Sequence, residues 1–217
     1  MDHSEEIAQF LMECSAVNFK FDPPFTYTSG LKSPIYLDNR KLISYPKVRT
    51  KLIEIYLDVI RALPNFKEID MISATATAAI PMGTLLADHL NLPLVYVRMK
   101  SKEHGLENQI EGSLHTKKNV LVIEDHISTA KSLKANIEAI RKAKGNVQYC
   151  MATTSYENPQ ALQTLVALDV QAVRLAKGEE ITEFAFKKGL LTPEEKASVN
   201  QWFQNPNDWV SKCSSPH

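Results

Sequence analysis

Apolar residues along this chain recur at two spacings, and the change from one to the other divides it into elements. Between residues 3 and 16, Ile7, Phe10, Leu11 and Cys14 fall three and four apart, which predicts an amphipathic helix. Pro46 opens a second helix, with Val48, Leu52, Ile55, Tyr56, Val59 and Ile60 at helical spacing until Pro64 stops it. The segment between them, FDPPFTYTSGLKSPIYLDNR, is rich in turn residues and offers one short strand, Pro34–Asp38. Beyond Pro64, short apolar runs predict strands at Asp70–Ser73, Pro93–Arg98, Val120–Ile123, Val147–Thr153 and Gln171–Leu175. A small-residue turn, Ala74–Thr77, follows the first of these. Helical patterns lie between the strands: Ala79 to Leu90, a stretch carrying Leu133, Ile137 and Ile140 that closes at Gly145, and Pro159–Leu168. Strands separated by helices imply right-handed crossovers and a parallel sheet. Thr192, Pro193, Glu194 and Glu195 form a capping box that starts a terminal helix running through Trp202.

Length and charge narrow the functional classes. A chain of 217 residues suits one domain with a substantial core. Lys plus Arg equals Asp plus Glu, 25 each, so no net field recruits nucleic acid or an anionic membrane. The acidic start lacks a long apolar run and no stretch reaches the length of a membrane span, so a cytoplasmic protein is expected. Three scattered cysteines fit reduced thiols, with Cys14 and Cys150 as core filler. The glycines form neither GxGxxG nor GxxxxGK, and HExxH, GxSxG and zinc-spaced Cys/His clusters are missing. Dinucleotide enzymes, P-loop enzymes, serine hydrolases and zinc enzymes are thereby disfavoured, and no protein-held metal site is expected.

The chemistry concentrates in NVLVIEDHISTAKS, residues 119–132. Glu124 and Asp125 follow the apolar run, where a buried strand emerges at its carboxyl end. Ser128 and Thr129 are placed to cap the next helix. Open α/β sheets bind ligands at the carboxyl ends of their strands, and helix N-termini attract anions. Two carboxylates beside an anion-binding turn suit a ligand with hydroxyls and a phosphate, such as a sugar phosphate. The segment 99–118 shows little period and carries Lys100, Lys102 and His104 near its start. Its place beside the central strand predicts a mobile cationic lid rather than a plain solvated hairpin.

These pieces together resemble the type I phosphoribosyltransferases, and among them the orotate-using enzymes. Val120–Ser132 resembles the motif for phosphoribosyl pyrophosphate (PRPP), and RMKSKEHG (98–105) with NQIEG (108–112) resembles the catalytic loop and its exit. FTYTSGLKSPIYLDNR (25–40) resembles the segment that covers the base, and ATAAIPMG (76–83) the turn that touches pyrophosphate. The resemblance implies an α/β fold with a central, mostly parallel sheet flanked by helices and a small amino-terminal hood. The whole chain, 1–217, would be one domain: a hood at 1–40, a PRPP-binding core at 65–180 and a terminal helix at 192–210. The implied reaction moves ribosyl 5-phosphate from PRPP to orotate in pyrimidine (UMP) biosynthesis. Glu124 and Asp125 would hold the ribose hydroxyls and face the developing positive charge. His126, Ile127, Ser128, Thr129, Ala130, Lys131 and Ser132 would cradle the 5-phosphate through backbone N–H groups. Arg98, Lys100, Lys102 and His104 would neutralise pyrophosphate, Lys102 and His104 with a catalytic share, and Thr77 would lie at the pyrophosphate turn. Lys32, Ser33 and Tyr36 would surround the base. Mg²⁺ would ride on PRPP and water, and a homodimer is implied in which the 98–112 loop reaches the neighbouring site. The chain departs from the pattern at Ala130 and Lys131, where glycine is usual, at Thr28 and Met99, where many members have basic residues, and at Tyr156, near where some members place an arginine for the orotate carboxylate. An added Cβ at Ala130 is expected to crowd the phosphate or resist a positive φ. Alternatives are a phosphoribosyltransferase for another base, or a non-catalytic PRPP or nucleotide sensor.

Overall fold

The structure is a computed structural model and describes residues 3–27, 29–99 and 109–209. The expectations placed on Lys100, Lys102 and His104 lie outside the described residues. Helix α1 (Ser4–Glu13) buries Ile7, Ala8, Phe10 and Leu11, the stripe its spacing predicts. Two antiparallel ribbons follow: β1 (Val17–Phe19) pairs with β4 (Ile35–Leu37), and β2 (Phe25–Thr26) with β3 (Lys32–Ser33). A 3₁₀ segment, Asn39–Ser44, leads into α2 (Pro46–Arg61), which begins at proline as expected.

The main sheet contains β5 (Met71–Thr75), β6 (Leu94–Val97), β7 (Ile110–Glu111), β8 (Val120–Ile127), β9 (Tyr149–Ser155) and β10 (Gln171–Lys177). Their spatial order is β10-β9-β8-β5-β6-β7, parallel throughout except for β7. Helices α3 (Ile80–Leu90), α4 (Lys131–Lys142) and α5 (Pro159–Ala167) connect the parallel strands. One apolar core lies between the sheet and α1, α2 and α3; α6 (Gly178–Lys187) and α7 (Pro193–Gln204) close it. A second core lies on the opposite face under α4 and α5. Gly83 brings α3 close to the sheet, since a Cβ there would meet the Ala74 Cβ at 2.7 Å.

From β5 the chain first winds outward to β6 and then returns to place β8 on the other flank. The junction of β5 and β8 is therefore the topological switch point, where the loops leaving two neighbouring strands diverge and open a crevice. Both candidate ligand loops, 76–79 and 128–130, leave the sheet there.

Four local expectations need correction. The central strand does not end at Ile123: ladder pairing with β9 continues to Ile127↔Ser155, so Glu124 and Asp125 lie within the strand. β5 also runs on to Thr75, shortening the expected turn, and the Ala76–Thr77 peptide is cis. Part of the aperiodic segment is a strand, because Ile110–Glu111 folds back on Tyr96–Val97. Ser128 and Thr129 do not cap α4: the capping position is Ala130, at φ 60°, and no side chain caps the helix. A left-handed residue there turns the chain sharply enough that no preceding hydroxyl meets the first helical amides.

Candidate active site

Strand β8 delivers the acids in opposite circumstances. Glu124 is 3% exposed. Its Oε1 accepts the Asp125 amide at 3.0 Å and its Oε2 accepts the Ser132 hydroxyl at 2.8 Å, which binds the strand to the first turn of α4. Burial, with the neighbouring Asp125 carboxylate adding to it, pushes the Glu124 carboxyl well above its usual range. Asp125 is less buried. Two carboxyls so placed can meet a positive charge that develops beside them.

The loop after β8 is shaped for an anion. Ile127 and Ala130 are buried, Ser128 is partly buried, and Thr129 and Lys131 are exposed. The first backbone bond into α4 runs from Lys134 N to Ala130 O at 2.9 Å, so the amides before it are left for a ligand. The helix carries no acidic residue in its first turn. Ala130 is 3% exposed and its methyl belongs to the core beneath α4, with Ile127 and Leu133. The expected steric conflict therefore falls on the backbone dihedral and not on the phosphate side.

His126 has a role that its sequence position did not announce. Its Nδ1 lies 2.8 Å from the Thr154 hydroxyl, and that oxygen already accepts Asn39 Nδ2 at 2.8 Å. The Thr154 hydroxyl is thus shared between the His126 ring and the Asn39 amide. Burial pushes its pKa down to about 4. The ring stands edge-on to Tyr156, centroids 4.2 Å apart. Asn39 also donates to the Asp125 carbonyl at 2.7 Å, joining the end of the hood to the acid strand. Nothing in the local pattern around Asn39 marks it, because its partners lie 86 and 115 residues away.

The hood residues differ in availability. Ser33 is fully buried and its Oγ donates to the Ile35 carbonyl at 2.7 Å. Lys32 is exposed, with Nζ on Thr26 Oγ1 at 2.7 Å, while its carbonyl accepts Trp202 Nε1 at 2.8 Å. Tyr36 packs against Phe25 and Tyr27, and the Tyr27 hydroxyl lies 3.2 Å from that of Tyr156. Tyr156 is 2% exposed among His126, Trp202 and Phe203. Between hood, the loop after β8 and the end of α7 lies a cleft of about 640 Å³, and no charged side chain lines it among the described residues. Thr77 is exposed at the other loop of the crevice. Arg98 pairs with Glu111 at 3.1 Å across the β6–β7 turn-back. The structure thus gathers Glu124, Asp125, His126 and the 128–132 loop at the switch point, with Lys32, Ser33 and Tyr36 in the hood beside them.

Comparison with known proteins agrees with this arrangement. Residues 42–172 match the phosphoribosyl transferase domain. A curated protein of Coxiella burnetii named orotate phosphoribosyltransferase is 39% identical over 209 residues, 96% of this chain and 99% of its own. One of the same name from Listeria innocua is 40% identical over the same shares. Among solved structures, orotate phosphoribosyltransferase from Aeropyrum pernix superposes with a TM-score of 0.73 at 25% identity, covering 86% of this chain and 99% of that one. Leishmania donovani UMP synthase gives 0.76 at 25% identity, covering 92% of this chain and 42% of that longer one. With relatives of this likeness over nearly its whole length, the chain belongs to the orotate phosphoribosyltransferase family.

Proposed function

We infer that this chain transfers the 5-phosphoribosyl group of PRPP to orotate, giving orotidine 5′-monophosphate and pyrophosphate in pyrimidine biosynthesis. The observation that carries the reading is the meeting, at one switch point, of the Glu124–Asp125 pair with an uncapped helix N-terminus, in a chain of this family. As the bond from ribose to pyrophosphate lengthens, positive charge gathers on the sugar and negative charge on the leaving group. In the reading proposed here, Asp125 and Glu124 face the sugar, and Glu124 holds Ser132 and the loop in register. The amides of 128–132 bind the 5-phosphate, with Lys131 adding charge at the loop. Thr77, Arg98, Lys100, Lys102 and His104 attend the pyrophosphate. Lys32, Ser33 and Tyr36 shape the base side. Preorganised charge of this kind lowers the barrier without a protein nucleophile.

Mg²⁺ in this reading arrives on PRPP. Among the described residues no three of His, Cys, Asp and Glu are grouped to hold a metal. The ion would take its ligands from phosphate, sugar and water, with the Glu124–Asp125 pair as the nearby carboxylates of this chain. We also propose a single catalytic domain with hood, core and terminal helix, working as a homodimer in the cytoplasm. No helix among the described residues is long and apolar enough to cross a membrane.

The test is pyrophosphate release from Mg²⁺–PRPP with and without orotate. Release that depends on orotate is expected; release that begins only with a different base would overturn the assignment of acceptor. A second reading, transfer to another base, is favoured by one observation: Tyr156, near the place where family members hold the orotate carboxylate with arginine, is buried in an aromatic cluster and the adjoining cleft is uncharged.

A further inference from the structure

The exit of β9 is laced to the exit of β8 by two bonds. Tyr156 N donates to the Ile127 carbonyl at 3.1 Å, and Asn158 Nδ2 donates to the Ser128 carbonyl at 2.5 Å. Asn158 is 5% exposed, and its other polar atom, Oδ1, accepts Ala161 N at 2.9 Å as the cap of α5. Both ends of this amide are therefore engaged within the protein. The carbonyl it holds belongs to the phosphate loop. In a trans peptide the C=O and the following N–H point in opposite directions, and the Ser128–Thr129 peptide is trans. Drawing the Ser128 carbonyl toward α5 turns the Thr129 N–H the other way. It also removes from the anion site a carbonyl oxygen that would repel a phosphate.

We propose that Asn158 is a positioning residue for the phosphate loop: by holding the Ser128 carbonyl it aims the Thr129 amide at the ligand's 5-phosphate. The proposal rests on the reading of this loop as the 5-phosphate site, and it adds a residue outside the motif, 30 positions downstream of the group it controls. Its effect is transmitted through one peptide plane.

Asn158→Ser separates the two jobs of the side chain. Serine is a good helix cap and preserves the bond from Ala161 N, but one hydroxyl cannot also reach Ser128. The probes are ribose 5-phosphate, PRPP with Mg²⁺, and pyrophosphate with Mg²⁺, each titrated calorimetrically into wild type and variant. Ribose 5-phosphate and PRPP should bind about tenfold more weakly to the variant, and pyrophosphate within about twofold of wild type. Unchanged ribose 5-phosphate binding overturns the proposal, and so does equal weakening of all three ligands, which would mean a general loosening of the site. Asn158→Ala, which loses the cap as well, should match the serine variant in ligand binding but melt lower; ligand binding equal to wild type in Asn158→Ala overturns the proposal too. Wild type that binds PRPP yet leaves orotate unused would remove the assigned acceptor while leaving Asn158's role standing.

Discussion

At Ala130 a residue with a Cβ occupies a left-handed turn, φ 60° and ψ 14°. That conformation costs a non-glycine residue about 1–2 kcal/mol. The methyl is nonetheless buried, which returns about 0.8 kcal/mol, and alanine restricts the unfolded chain more than glycine does. Ala130→Gly should thus change stability by no more than about 1 kcal/mol in a urea titration. Because the methyl faces the core, PRPP affinity should stay the same; a marked gain would show that the Cβ does crowd the phosphate. His126 makes a pH prediction. In the unfolded chain its imidazole protonates near its ordinary 6.5, while the folded ring waits until about 4. Between those values the unfolded state binds more protons, so this contribution is whole above 6.5 and is lost as pH falls toward 4. Glu124, with its pKa raised by burial, acts in the opposite sense above its ordinary 4.5. Comparing His126→Val with wild type isolates the histidine: the variant should lose less stability between pH 6.5 and 4, and parallel curves would contradict the assignment.

Among elements, α4 is tied to β5 through a fully buried asparagine. Ser73 Oγ donates to Asn136 Oδ1 at 2.8 Å, and Asn136 Nδ2 donates to Thr75 Oγ1 at 3.0 Å. The helix that follows the 128–130 loop is thereby fixed to the strand that leads into the 76–79 loop. Asn136→Leu strands two buried hydroxyls and should destabilise by about 2–4 kcal/mol, read as a lower urea midpoint with the same slope. A cost below about 0.5 kcal/mol would mean the hydroxyls find other partners. The parallel strands and their helices were legible in sequence because each carries its own period and stop signals. Pro46, the left-handed Asn91 after α3, and the capping box at Thr192 end or begin helices where expected. Strand ends were less legible. Glu124, Asp125 and His126 are polar, and only pairing with β9 keeps them extended. Helix α6 escaped notice: it starts at Gly178, a poor helix former retained because the Phe203 ring lies where a Cβ would be, 2.6 Å away.

Across the whole molecule, what the sequence displayed was the contiguous part of the site, residues 119–132 and the hood segment. What it concealed are the polar residues that hold those parts together, Asn39, Asn136 and Asn158, whose partners come from other elements and leave no local pattern. The aromatic wall is of the same kind. Tyr27, Tyr156, Trp202 and Phe203 come from three distant segments and meet only in the fold. Trp202 lies 170 residues beyond the Lys32 carbonyl that it holds, and Lys187 pairs with Glu5 across a still greater span, 182 residues. During synthesis the chain emerges from its amino terminus, and contacts of such separation wait for their second partner. The hood leaves the ribosome early, but its brace, α7, follows only after the whole sheet. The growing polypeptide therefore acquires the loop after β8 well before it acquires a finished aromatic wall beside the hood.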